Sequence, residues 1–352
     1  MKKAAHSKHS QSDSRSPEAE NERSLRRPGH RFLAAVLLVL FFLLCLSGLW
    51  FWKNGAGAFS AKAGGASAQG RGRAGREEGK EGEETEEERA CSLSGRIRNS
   101  AEMIAGIRKG LREHSAAITV SFDCGSDVFA DLNDVIGNWM EAAQAETDSP
   151  VEGDYIRYQL GGYVYNSTSR QEDGRWYYRV RIEPTYYHYL SQEEETDRAV
   201  SSIRRKFFFM PWTSREKKIR KIYDYLCENV SYDKVHRKNP YYHKCSTAYA
   251  ALVQGTASCQ GYCTALYRLL REEEIPCRIV TGTAEGEVLH AWVIVQLREK
   301  WYLLDPTWDA GAEEYRFYLA GTAGTEDHVP GERFRTESFL EEHPMAETAY
   351  FQ

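Results

Sequence analysis

Apolar and polar positions divide the chain into stretches of different character. From Phe32 to Trp52 the sequence FLAAVLLVLFFLLCLSGLWFW has no charge over 21 residues, long enough for a helix that crosses a bilayer. From Lys53 to about Ala90 the pattern collapses into Gly, Ala, Glu and Arg, ending EEGKEGEETEEER, which offers almost nothing to bury. Beyond Cys91 periodicity returns. Ser94–His114 carries Ile97, Ile104, Ile107 and Leu111 at helical spacing, AAITVSFD alternates as a strand does, and FADLNDVIGNWMEAA reverts to the helical period. The aromatic runs DYIRYQLGGYVYN and RWYYRVRIEPTYY predict an antiparallel pair joined by a turn at Gln171–Gly174.

From about Pro211 the pattern predicts helices first and strands afterwards. Ser214–Asn229 places Ile219, Ile222, Tyr223 and Leu226 on one stripe, and HKCSTAYAALVQG predicts a shorter helix closed by Gly255. A further helix starts near Cys259, with Leu266, Leu269 and Leu270 as its core face, and stops at EEEIP. The strands CRIVTGTA, HAWVIVQL and KWYLLDP follow. Helices followed by an antiparallel sheet make an α+β arrangement, not alternating βαβ.

Charge gives the apolar span a direction. Arg15, Arg23, Arg26, Arg27 and Arg31 precede it, whereas only Lys53 and Lys62 occur in the next eighteen residues, so the N-terminus is expected on the cytoplasmic side. Trp50 and Trp52 suit the opposite interface. A cleaved leader would have a shorter apolar run with small residues at the cut, for which AFSA at Ala58–Ala61 is the available place. The expected organisation is a basic cytoplasmic tail (1–31), a membrane span (32–52), a Gly/Glu-rich linker (53–90), an α/β region (91–205) and a second domain (206–352) on the outer face. A net charge of -5 gives no basic field to attract nucleic acid. Of eight cysteines, seven lie beyond the span; if Cys259 is kept for chemistry, six remain and permit fifteen disulfide pairings.

The candidate chemistry centres on GTASCQGYCTALYRLL. Residues 255–258 are small and allow a tight turn, which leaves Cys259 at a helix start, where unpaired amides and the positive dipole end favour a thiolate. The same amides suit an oxyanion formed during acyl transfer. Cys263, one turn on, points toward the core. A thiol nucleophile needs an imidazole, and the imidazole needs an orienting acceptor. His290 opens one strand and Asp305 closes the next, so the hairpin between them sets Asp305 opposite residues 291–293. Asp309 is the neighbouring acidic alternative. Gln260, Tyr262 and Trp292 are candidates for substrate contact. A zinc site from His243, Cys245, Cys259 and Cys263 lacks a paired C-x-x-C knuckle, and no acidic loop suits calcium, so neither metal nor cofactor is expected.

SCQGY, HAW and WYLLDPTWD, at these separations, resemble the transglutaminase-like family of papain-like cysteine enzymes. The resemblance extends over about residues 215–320 and includes YDYLCENVSYD and IPCRIVTG. It implies an α+β cysteine-enzyme core and a Cys259–His290–Asp305 triad. Implied too is attack on a protein or peptide amide, with transfer to an amine or to water. Two positions depart from the family's pattern: Val293, where many relatives have Asn, and Cys263, where Ala is usual. Neither belongs to the triad, but substrate preference stays open. Surface proteins and cell-wall peptides are the expected substrates of an enzyme tethered outside the membrane. The competing reading is a binding or scaffold module that uses the tyrosine-rich strands.

Overall fold

The computed structural model describes residues 100–236, 239, 242–286 and 288–351. The expected tail, membrane span and linker, and residues 91–99 with Cys91, lie outside them. Among the described residues no helix is long and apolar enough to cross a membrane.

The first part of the described chain contains α1 (Ser100–Arg112), β1 (Ile118–Cys124), α2 (Leu132–Ala143), a short helix α3 (Asp154–Arg157), β2 (Leu160–Glu172) and β3 (Arg175–Tyr186). The strands form an antiparallel sheet in the order β1-β3-β2. Alternation along β1 turns Ile118, Val120, Phe122 and Cys124 inward, against Ile107 and Leu111 of α1 and Ile136 and Met140 of α2. DYIR departs from the strand expected there and makes a helical turn. Gly153 at φ 64° redirects the chain, and the buried Asp154 carboxylate then accepts from Arg278 Nε (2.9 Å) and Ile279 N (2.8 Å). Those distant bonds outweigh the local aromatic alternation.

The next helix, α4 (Leu190–Phe207), was not expected from the pattern. After it come α5 (Arg215–Asn229), β4 (Ser231–Tyr232), β5 (Thr256–Ala257), α6 (Cys259–Glu272), β6 (Cys277–Ala284), β7 (Val288–Leu297) and β8 (Lys300–Leu304). The chain then adds α7 (Pro306–Asp309), β9 (Tyr318–Ala320), β10 (Val329–Pro330) and α8 (Glu337–Glu342). HKCSTAYAALVQG is not one regular helix: it has a 3-10 turn at Lys244–Ser246, then a wide π turn at Ala250–Gln254, closed at Gly255.

Strands β6 to β10 form one antiparallel sheet in the order β10-β6-β7-β8-β9. Both its faces are buried. Ala291, Val293 and Val295 of β7 pack toward Leu266, Leu269 and Leu270 of α6, while Trp292 and Ile294 face Trp301, Leu303, Phe317 and Phe334. A strand covered on both sides reads as an unbroken apolar run, as HAWVIVQL does. Each fully buried leucine here contributes about 2 kcal/mol relative to exposure. The larger core also takes in Val200 and Ile203 of α4 and Tyr155 and Tyr158 from the first part of the chain. The six described cysteines, Cys124, Cys227, Cys245, Cys259, Cys263 and Cys277, are free thiols.

Candidate active site

Helix α6 begins at Cys259, with Ser258 as its N-cap residue. Tyr262 N donates to the Ser258 carbonyl, so the amides before it belong to a first turn that no helical carbonyl can satisfy. Gly261 lets the chain pack tightly against this turn, because a Cβ there would lie 2.4 Å from the Cys245 carbonyl oxygen. Ser258 N donates to the same carbonyl (2.8 Å), which pins the residue before Cys259. Cys259 is half-buried and Cys263 is fully buried, where desolvation pushes its thiol well up.

The hairpin β7–β8 delivers the other two groups. Leu304 pairs with Val293, so Asp305 emerges at the end of β8 one position from Trp292. Asp305 caps α7: its Oδ1 accepts from Thr307 N (3.0 Å), and Pro306 takes the first helical position. Its Oδ2 lies 2.6 Å from His290 Nε2, and the Cys259 side chain lies close enough to the His290 ring to act on its protonation. Both members of the His290–Asp305 pair are buried. Burial disfavours a protonated His290, but the hydrogen bonds to Asp305 and Cys259, with their charges, push its pKa up to about 10. Burial likewise pushes the Asp305 carboxyl up, and the hydrogen bonds and charges of His290 and His328 reverse this, holding it below the ordinary range.

The structure therefore brings together Cys259, His290 and Asp305. Asp309 stands apart, accepting from Tyr223 OH (2.6 Å) and from Phe317 N (2.9 Å) and Arg316 N (3.0 Å), which makes it a staple between α5 and the segment before β9. The residues considered for substrate contact have other places. Tyr262 is fully buried with its hydroxyl donating to the Val230 carbonyl. Trp292 is 2% exposed and packs under the sheet. These two cannot meet a substrate at the surface: Tyr262 lies in the core between α6 and its neighbours, and Trp292 is covered on the opposite face of the sheet by Trp301, Phe317 and Phe334. Gln260 is partly buried and donates to the Tyr158 carbonyl, so its amide ties α6 to the first part of the chain.

Sequence reasoning missed His328, whose Nε2 lies 3.2 Å from Asp305 Oδ2. It precedes a two-residue strand and has no periodic neighbours to announce it. The available signal was Gly282, a glycine inside a strand, which often marks close backbone approach. His290, Asp305 and His328 offer three ligand atoms within 4.8 Å of one another. Tetrahedral ligands about 2.0 Å from an ion are separated by about 3.3 Å, whereas His290 Nε2 and Asp305 Oδ2 are 2.6 Å apart, the distance of a charge-assisted hydrogen bond. The trio is a hydrogen-bond relay. A cavity of about 350 Å³ lies elsewhere, against His114, Tyr155, His188 and Glu193, and no cysteine, serine or threonine lines it. The nucleophile directs attention to Cys259 instead.

Residues 210–306 match the family model of the transglutaminase-like superfamily. This segment is similar to a transglutaminase-like domain. No curated protein matches the chain. Among solved structures, the chain is similar to a crystal structure of a TGase, at 14% identity and TM-score 0.29, over 51% of this chain and 59% of that one. It is also similar to a candidate cysteine protease from Cytophaga hutchinsonii, at 13% identity and TM-score 0.29, over 49% and 69%. A candidate protease from Parabacteroides distasonis is similar at 10% identity and TM-score 0.25, over 47% and 42%. The matched segment begins just before α5 and ends at Pro306, directly after Asp305.

Proposed function

We propose that residues 206–352 are a cysteine acyl-transfer enzyme acting on protein or peptide amides, with Cys259 as nucleophile, His290 as general base and acid, and Asp305 as the orienting carboxylate. The observation that carries this reading is the His290 imidazole, set between the Cys259 side chain at the start of α6 and Asp305 Oδ2 at 2.6 Å. The thiol proton rests on His290 in a charged pair, and the thiolate attacks the amide carbonyl carbon. The oxyanion that forms is met by amides of the first turn of α6. His290 then returns the proton to the departing nitrogen, and ammonia or an amine leaves behind a thioester. An incoming amine or water, deprotonated by His290, attacks the thioester and frees the thiol. An amine makes the reaction crosslinking, and water makes it hydrolysis.

The proposal includes an anchor at residues 32–52 and an extracytoplasmic domain, from the apolar run and the arginine bias. Surface proteins or cell-wall peptides are then the substrates within reach. The test incubates the purified full chain with glutamine-containing proteins and with cell-wall peptides, each with and without a labelled primary amine. Amine incorporation lost in Cys259→Ala establishes crosslinking; Cys259-dependent release of product without amine establishes hydrolysis. No Cys259-dependent product in any arm refutes the enzyme and leaves a binding module.

A further inference from the structure

Asp305 is shared. Its Oδ2 faces His290 Nε2 at 2.6 Å and His328 Nε2 at 3.2 Å, and the other nitrogen of His328 lies 2.9 Å from Asp327 Oδ1. Neither carboxylate can donate when ionised, so His328 stands between two acceptors, one at each ring nitrogen. Its side chain is 1% exposed and sits among Trp292, Trp308 and Phe317, with ring centroids 5.1, 4.7 and 4.9 Å away. Aromatic rings at such distances fix the plane of the imidazole.

The fold builds this placement deliberately. β10 follows His328 and pairs with β6, Pro330 opposite Gly282, while Gly282 pairs on its other side with His290. A Cβ at Gly282 would lie 2.0 Å from the Val329 carbonyl oxygen, so only glycine lets β10 seat here. Gly331 N to Thr281 O (2.9 Å) and His328 N to Thr325 O (2.9 Å) fix the segment at either end.

We propose that His328 is a positioning residue that, clamped by Asp327, holds the Asp305 carboxylate in line with His290. The inference rests on the proposed reading of Cys259, His290 and Asp305, and acts through Asp305, without contact with substrate. The charged groups around His328 are Asp305, Asp327 and His290, with Arg316 3.4 Å behind Asp327 and Asp309 near Asp305. Removing the His328 donor lets Asp305 rotate away from His290. That rotation weakens the field that favours a charged Cys259–His290 pair.

The experiment measures iodoacetamide alkylation of Cys259 from pH 4 to 10 in the full chain, located by mass spectrometry. His328→Phe fills the aromatic box without a donor; His328→Gln restores a donor. For His328→Phe, alkylation at pH 6 is expected to fall about tenfold, with the acid limb displaced upward by about one pH unit. His328→Gln is expected to recover to within about threefold of wild type. A merely space-filling histidine gives the opposite order, with Phe tolerated and Gln impaired, and that order overturns the proposal. If His328→Phe does not fold, Asp327→Asn decides: a smaller displacement in the same direction supports the clamp, and an unchanged profile overturns it. A fast wild type insensitive to these changes sinks only the role of His328. Wild-type alkylation at pH 6 no faster than a free thiol sinks the underlying reading of the site as well.

Discussion

Two buried clusters in this molecule use the same residue types, a carboxylate and two histidines. In one, Asp305 is met by His290 and His328. In the other, Glu193 Oε2 lies 2.8 Å from His188 Nε2, which lies 3.2 Å from His114 Nε2. In both, burial pushes the carboxyl up and its partners bring it below the ordinary range. The difference is a permanent cation. Arg268 donates to Glu193 at 3.2 Å and also binds Asp197 and Glu272, and Tyr155 OH adds a bond at 2.8 Å. That network joins α4 to α6 and holds its charge at any ordinary pH. Among the described residues, only histidines form ion pairs with Asp305. Its field is therefore carried by groups that gain and lose protons, and one of them touches a thiol. Residue types alone do not distinguish a clamp from a reactive site; the mobile proton and the adjacent sulfur do.

Substitutions can break this comparison at either end. The largest effect is expected for Cys259→Ala, which lowers amide turnover by about 10³-fold or more with an unchanged thermal midpoint. His188→Ala should leave Cys259 alkylation intact while lowering that midpoint. Asp305→Asn keeps the shape but loses the charge, so Cys259 alkylation at pH 6 falls by roughly 10²-fold. Arg268→Met strands Glu193 and costs about 3 kcal/mol in urea unfolding, with the alkylation profile unmoved. An altered profile would mean that the two clusters are coupled.

The smallest effect is in the pH dependence of stability. His290 rises from an ordinary 6.5 to about 10 on folding, so the folded state binds the proton more tightly. The pair's contribution is fully present below about pH 6.5 and is lost as pH rises through 10. The stability gap between wild type and His290→Gln should accordingly shrink between pH 6 and pH 10; a constant gap would mean that the ring is neutral throughout.

The parts legible in the sequence were those with a local rule behind them. β6, β7 and β8 carry dense apolar runs between Pro276, the Arg298–Glu299 turn and Pro306, and α6 starts where a serine cap follows small residues. Cys259, His290 and Asp305 lie at the ends of those elements, so their meeting followed from hairpin register. DYIR was misread because its conformation is set by Arg278 and Ile279, far along the chain. α4 was passed over because its surface turns are dominated by charge, and only Thr196, Val200 and Ile203 mark the inner stripe with Glu193. His328 was invisible for a related reason: the instruction for its seat is written at Gly282, as a missing side chain.

That arrangement gives the site an order of completion. When synthesis has passed Pro306, Cys259, His290 and Asp305 have all been made, yet the lane beside Gly282 is vacant and Asp305 has one imidazole partner. At about 5–20 residues per second, the stretch through β10 adds roughly one to five seconds. A chain cut at the end of the matched segment would keep that unfinished state permanently, with Trp292 and Ile294 deprived of Phe317 and Phe334. The second histidine thus arrives about twenty residues of synthesis after Asp305, once the rest of the relay has been made.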